Sequence, residues 1–201
     1  MSENADEEPA VRVVNAEVLA DDWATLTKYT IDYRRSDGAR ETLIRQVYDR
    51  GDGAAILPYD PDRGTVLLVR QFRMPVFLKA PPGWLIEVCA GLLDDLDPEA
   101  AIRREAREEL GYDLSDITMA LDVFMSPGSV SERLALFVAR YSPADRVSDG
   151  GGAQEEGEDI EVLEVSLDHA MGMIADGTIR DAKTVILLQH LRLKAMTRGS
   201  R

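Results

Sequence analysis

Residues Glu87 to Tyr112 read EVCAGLLDDLDPEAAIRREAREELGY. The stretch joins a short apolar run, a turn at Gly91 and one acidic helix. Asp97 is a candidate N-cap and Pro98 takes the first helical position, where its missing N–H and fixed φ cost nothing. Gly111 ends the helix as the residue type that most easily adopts the left-handed conformation after a last turn. Between these caps, Ala100, Ala101, Ile102 and Leu110 supply apolar contacts. Glu105 and Glu109 stand four apart and project from one face, with Glu108 beside them.

Two readings of that face compete. Arg103, Arg104 and Arg107 can neutralise the glutamates in exposed ion pairs that contribute little. Alternatively, like charges at this spacing repel unless a cation sits between them, and hard divalent ions such as Mg²⁺ take one or two carboxylates plus substrate phosphates.

The order of residues shifts the balance toward the second. Gly91, then Arg104-Glu105-Ala106-Arg107-Glu108-Glu109-Leu110-Gly111-Tyr112, resembles the Nudix box, G-x5-E-x7-R-E-U-x-E-E-x-G-U, where U is aliphatic or aromatic. Between Gly91 and Arg104 the chain is one residue shorter than that pattern, and Asp97 stands where a glutamate is expected.

Composition bounds the remaining possibilities. With 201 residues and 45% hydrophobic content, the chain can bury one sizeable core plus an appendage. It has no apolar run of membrane-spanning length, and the acidic start MSENADEEP lacks a signal-peptide pattern, so a cytoplasmic location is expected. The single cysteine, Cys89, excludes an internal disulfide and reads as a packed thiol. Only two histidines, His169 and His190, argue against a His-based zinc site or a Ser-His-Asp triad. A net charge of −14 opposes nucleic-acid and anionic-membrane partners, whereas a phosphate-bearing small molecule fits if metal ions and a few placed Arg or Lys residues receive it.

In chain order, residues 1–10 read as a disordered acidic tail. Three strands follow within 11–50, VRVVNAEVLA, WATLTKYTIDYRR and ETLIRQVYDR, with Ser36-Asp37-Gly38 turning the last two. This segment is too small to own a core and is expected to pack on the main domain or on a second subunit. In it, Trp23 reads first as a packing residue and Arg45 as a surface charge. The main domain, 51–201, opens with the hairpin AAILPY and TVLLVRQF around Pro61-Asp62-Arg63-Gly64. Arg73 leads into the loop before the box, where it either simply reaches solvent or meets a phosphate bidentately, and Glu87 reads equally as an exposed strand carboxylate or a site residue.

After the box come the strands ITMALDVF and RLALFVARY, separated by a loop carrying Glu132, which reads as soluble surface. The run SDGGGAQEEGEDIEV reads by composition as a flexible acidic linker. The alternative is that it delivers a third carboxylate, or a general base, to the metal face. A strand, DIEVLEVSL, and two amphipathic helices close the domain, with Val185, Leu188 and Leu191 facing inward, giving an α/β layer architecture.

VYDRG, RQFR, IE-x-CAGLLD, MSPG, the glycine-rich acidic loop, EDIEVLE and IRD-x-KT extend the resemblance from about Val18 to Leu193. Together they resemble the GDP-mannose-hydrolysing branch of the Nudix hydrolases, which shares the shortened box. The resemblance implies an α/β/α sandwich with a mixed sheet, a homodimer formed partly through the N-terminal strands, and Mg²⁺-dependent (or Mn²⁺-dependent) cleavage of a nucleoside diphosphate sugar. GDP-mannose would give GMP and mannose 1-phosphate. An ADP-ribose pyrophosphatase is the alternative within the enzyme class, and a nucleotide-sugar sensor without turnover is the alternative outside it.

By position, the resemblance puts metal ligands at the Ala90 carbonyl, Glu105, Glu109 and Glu158, with Glu155 and Glu156 as alternatives to Glu158. It puts substrate contacts at Trp23, Arg45, Arg73, Glu132 and Lys183. The candidate general bases are Glu132, Glu158 and Glu108.

Overall fold

The computed structural model describes residues 9–153 and 157–198, which form two compact units. The expected disorder of the acidic tail falls, except for its last two residues, outside the described residues, as do the alternative ligands Glu155 and Glu156.

The first unit comprises the chain up to Gly51 together with Ser126–Glu132. Its three strands, β1 (Val11–Asp21), β2 (Thr25–Arg34) and β3 (Arg40–Asp49), form an antiparallel meander rich in β-branched residues. Gly38, at φ 87°, turns β2 into β3. The Ser126–Glu132 loop is tied to β3 by Tyr48 N–H donating to Ser129 O at 2.8 Å and Ser131 N–H donating to Tyr48 O at 3.1 Å.

The second unit is an α/β/α sandwich on a mixed sheet of seven strands. Strands β4 (Gly53–Asp60), β5 (Thr65–Phe72), β8 (Thr118–Phe124), β9 (Arg133–Arg140) and β10 (Glu161–Ser166) run in the order β10-β5-β4-β9-β8. Only the β4–β9 pair is parallel. After β5 comes one helical turn, α1 (Met74–Phe77). Strands β4 and β5 pair only at their hairpin end, Tyr59 with Val66 and Asp60 with Thr65, and then splay. Into the fork runs one extended stretch: β6 (Trp84–Glu87) pairs with β5, and β7 (Cys89–Leu92) pairs with β4.

Alternation along these strands builds two cores. Ala54, Ile56, Leu67, Val69 and Cys89 face α2 (Pro98–Glu105), packing on Ile102, Ala106 and Leu110. Ala55, Leu57, Val66, Leu68 and Val88 face the opposite layer, α3 (Leu167–Ala175) and α4 (Ala182–Arg198), packing on Ala170, Leu187, Leu188 and Leu191. Val185 is only partly buried against this layer, because Leu187 takes the central position instead. Among the described residues no helix is long and apolar enough to cross a membrane.

Candidate active site: a carboxylate face beside a buried ion-pair hub

Val88 is the hinge of the forked strand. It belongs to neither ladder, and its N–H donates instead to Thr184 Oγ1 at 2.8 Å. Glu87 therefore falls on one side of the kink and Ala90 and Gly91 on the other. Gly91 lets the backbone meet the acidic helix closely, since a Cβ there would lie 2.4 Å from Glu105 Cδ.

The helix begins as its sequence dictates, with Asp97 accepting from Glu99 N–H at 3.0 Å and Ala100 N–H at 3.4 Å. It ends on left-handed Gly111 at φ 77°. The last turn departs from expectation: Ala106–Leu110 is π-helical, so Glu108 and Glu109 lie on a wider turn than an ideal α-helix provides. Arg104 bonds Glu105 at 2.8 Å and Asp94 at 3.2 Å, while Arg103 bonds Glu99 at 2.8 Å.

Glu109 is almost wholly buried, and its Oε2 accepts from Ala90 N–H at 3.3 Å. Burial pushes its pKa up to about 8. The Cys89 thiol and Arg73 pull it back, and the charges of Glu105 and Glu158 push it further. Glu105, half-buried, is raised by burial, with Arg104 opposing and Glu108 and Glu158 adding to the rise. Glu108 points to solvent. Cys89, fully buried beside this carboxylate, has its thiol pushed well up by desolvation and by the Glu109 charge, consistent with a packed, unreactive thiol.

The glycine run corrects the flexible-linker expectation. Gly151 N–H donates to Glu109 O at 2.9 Å and Gly152 N–H to Glu108 O at 3.1 Å, filling carbonyls that the helix end leaves open. A Cβ at Gly150 would lie 2.4 Å from Glu109 O, so these glycines serve close approach rather than mobility. The same run seats Glu158, whose Oε2 accepts from Ala153 N–H at 2.8 Å, where its charge reaches both Glu105 and Glu109.

On the other side of the kink, Glu87 is buried, which overturns its reading as an exposed strand carboxylate. Arg73 donates to it through Nε at 2.6 Å and through a terminal nitrogen at 3.3 Å, and Lys183 Nζ donates to its Oε2. Lys183 also donates to Asp181 Oδ1 at 2.9 Å. Asp181 stands directly before α4 and accepts from Thr184 N–H at 2.9 Å and Thr184 Oγ1 at 2.6 Å. Sequence reasoning missed Asp181 and Thr184 as members of this network; the available signal was the capping spacing in Asp181-Ala-Lys-Thr184.

Three further candidates lie in the first unit. Trp23 is exposed rather than packed, because it lies in the turn between β1 and β2; the Arg50 guanidinium lies 5.9 Å from its ring centroid. Arg45 is exposed and donates to Ile44 O at 2.8 Å. Glu132 is buried rather than on the soluble surface, and pairs with Arg50, a partner that sequence reasoning overlooked.

Apart from the Cys89 thiol, which burial keeps protonated, the candidate ligands around Glu109 are carboxylate oxygens, and among the described residues no three His, Cys, Asp or Glu side chains form a ready-made metal cage. That set fits a hard divalent ion whose coordination is completed by water and phosphate oxygens, and it does not fit zinc. Glu105, Glu109 and Glu158 would hold such an ion.

An α/β/α sandwich with a carboxylate face packed against a forked strand is an arrangement that can hold a divalent ion beside a bound anion. The family model for the NUDIX domain matches residues 49–188, and the model for the GDP-mannose pyrophosphatase NudK N-terminal domain matches residues 10–48. The chain belongs to the Nudix family and is a pyrophosphatase of the divalent-metal-using kind that the family comprises. Its relatives include proteins named GDP-mannose pyrophosphatase from Pectobacterium atrosepticum (48% identical, covering 90% of this chain and 93% of the relative) and Klebsiella pneumoniae (44%, covering 94% and 96%). A crystal structure titled as an ADP compounds hydrolase shares the fold, with a TM-score of 0.73 at 21% identity, covering 97% of this chain and 99% of that one.

Proposed function

We propose that the protein hydrolyses the pyrophosphate bond of GDP-mannose, giving GMP and mannose 1-phosphate, with Mg²⁺ as the ion. One observation carries the chemistry: buried Glu109 is ringed by other carboxylates, while Arg73, whose charge reaches Glu109, is held on the neighbouring strand. Negative charge that wants a cation beside positive charge that wants an anion is the complement of a metal-bound diphosphate. The choice of sugar nucleotide rests on the names of relatives that align over most of the chain.

In the reaction, water oxygen adds to one phosphorus, the bond from that phosphorus to the bridging oxygen breaks, and the water gives up a proton. Glu105, Glu109 and Glu158, with the Ala90 carbonyl, would hold the ion, which when bound would neutralise charge on the phosphate oxygens and lower the pKa of the attacking water. Arg73 and Lys183 receive diphosphate oxygens and so fix the scissile bond. A carboxylate takes the proton, since no histidine lies in this network; Glu132, Glu158 and Glu108 are the candidates. Trp23 and Arg45 are assigned to the nucleotide on register alone. A homodimer built through the N-terminal strands and a cytoplasmic location belong to the same proposal, and light scattering tests the first.

The deciding assay separates nucleotide products after incubation with GDP-mannose, ADP-ribose and other nucleoside diphosphate sugars in Mg²⁺. Dominant GMP release is expected. Dominant AMP from ADP-ribose transfers the assignment to that substrate, and tight ligand binding without product in Mg²⁺ replaces it with a sensor.

A further inference from the structure

Glu87 sits where a buried charge is hardest to keep. Glu87 is 2% exposed, yet its carboxylate holds two cations from two different elements: Arg73, directly after β5, and Lys183, in the first turn of α4. The arrangement balances, since Asp181 supplies the second negative charge on Lys183. Such a network is weak as a stabilising device, because desolvating four charges offsets most of what their attraction returns. What it does secure is geometry. Arg73 spends Nε and one terminal nitrogen on Glu87, so the plane of the guanidinium is set, while the side chain as a whole remains two-fifths exposed. Lys183, a flexible chain that would otherwise sample many rotamers, is fixed by two carboxylates.

The mounting is itself braced. Thr184 Oγ1 accepts from Val88 N–H and donates to Asp181, so the residue next to Glu87 and the residue that holds Lys183 share one hydroxyl. Strand and helix therefore move together.

We propose that Glu87 is a positioning residue that, with Asp181, presets Arg73 and Lys183 as a two-cation seat for the diphosphate of the substrate. This rests on the reading of the protein as a diphosphate hydrolase and deepens it by naming what aims the cations. Glu87 touches no reacting atom; it acts through Arg73 and Lys183. Without its charge the two cations repel each other across an uncharged side chain, and each must be reordered whenever substrate binds.

Glu87→Gln keeps the shape and removes the charge. It is expected to raise KM for GDP-mannose about tenfold while kcat stays within about threefold. A role in folding alone lowers the melting temperature and the active fraction, which reduces kcat and leaves KM untouched. Asp181→Asn covers the case in which the first variant does not fold, because asparagine caps a helix as well as aspartate does. It is expected to raise KM about threefold. In a background that lacks both cations, Arg73→Ala with Lys183→Ala, adding Glu87→Gln is expected to change KM by less than about twofold, since the groups it aims are gone. Pyrophosphate binding in Mg²⁺, measured by calorimetry, repeats the comparison without turnover. Weaker binding in Glu87→Gln than in the parent upholds the seat even where the substrate assignment fails. A parent-like KM and parent-like pyrophosphate affinity in a folded Glu87→Gln or Asp181→Asn variant overturns it.

Discussion

Glu87 and Glu109 are the same residue type, equally buried at 2% exposure, one on the forked strand and the other on the helix end that packs against it. Their surroundings are opposite. Glu87 is covered by Arg73 and Lys183, so its charge is matched inside the protein. Glu109 has a backbone N–H from Ala90 and faces the charges of Glu105 and Glu158. A buried charge that the protein matches positions its partners, whereas one that the protein surrounds with its own kind is left for a ligand to match.

The largest effect that contrast predicts is on turnover. Glu109→Gln should lower Mg²⁺-dependent kcat/KM about a thousandfold, read by product release, because a charged ligand to the ion is lost. Turnover within about threefold of the parent removes Glu109 from the metal face.

The next prediction is one of sign. In chelator, Glu87→Gln should destabilise the protein by about 3 kcal/mol, since it strands Arg73 and Lys183, whereas Glu109→Gln should leave stability unchanged or raised. Denaturant unfolding measures both. Equal destabilisation by the two variants would erase the distinction between the glutamates.

A third prediction follows from protonation. The pKa of Glu109 in the folded, metal-free protein lies near 8, above its ordinary value of 4.5. A raised carboxylate favours the fold while protonated, so its contribution is fully present below about pH 4.5 and is lost as pH rises to about 8. The metal-free melting temperature should therefore fall across that window, and the fall should disappear in Glu109→Gln.

The smallest effect concerns the glycine run. Gly152, at φ 82°, has room for no side chain, because a Cβ there would lie 2.5 Å from Glu158 Oε2. Gly152→Ala should cost about 1 kcal/mol of stability and lower kcat/KM about tenfold by displacing Glu158. Unchanged turnover would take Glu158 out of the ligand set.

These two glutamates also mark how far the sequence reaches. Both ends of the acidic helix were legible, because Asp97, Pro98 and Gly111 act locally and their preferences do not depend on the fold. The alternating strands were legible for the same reason. The π-helical last turn was not, since it reflects how the helix end packs against the glycine run rather than any propensity of Ala106–Leu110. The role of Gly150 to Gly152 was hidden as well: composition suggests freedom, and only the contact with Glu109 O shows confinement. Glu87 was undecided because its partners lie 14 residues before it and 96 after it, and no local pattern joins them. Trp23 and Glu132 were misjudged for a similar reason, since exposure depends on where a turn falls and on a distant arginine.

The central claim is that the charge on Glu109 is left for a divalent ion to match. Its most direct test is the melting temperature of the parent and of Glu109→Gln at pH 8, each with chelator and with saturating Mg²⁺. The account predicts that Mg²⁺ raises the melting temperature of the parent by roughly 5 °C or more and leaves Glu109→Gln unmoved. An equal rise in both proteins, or none in the parent, would contradict it.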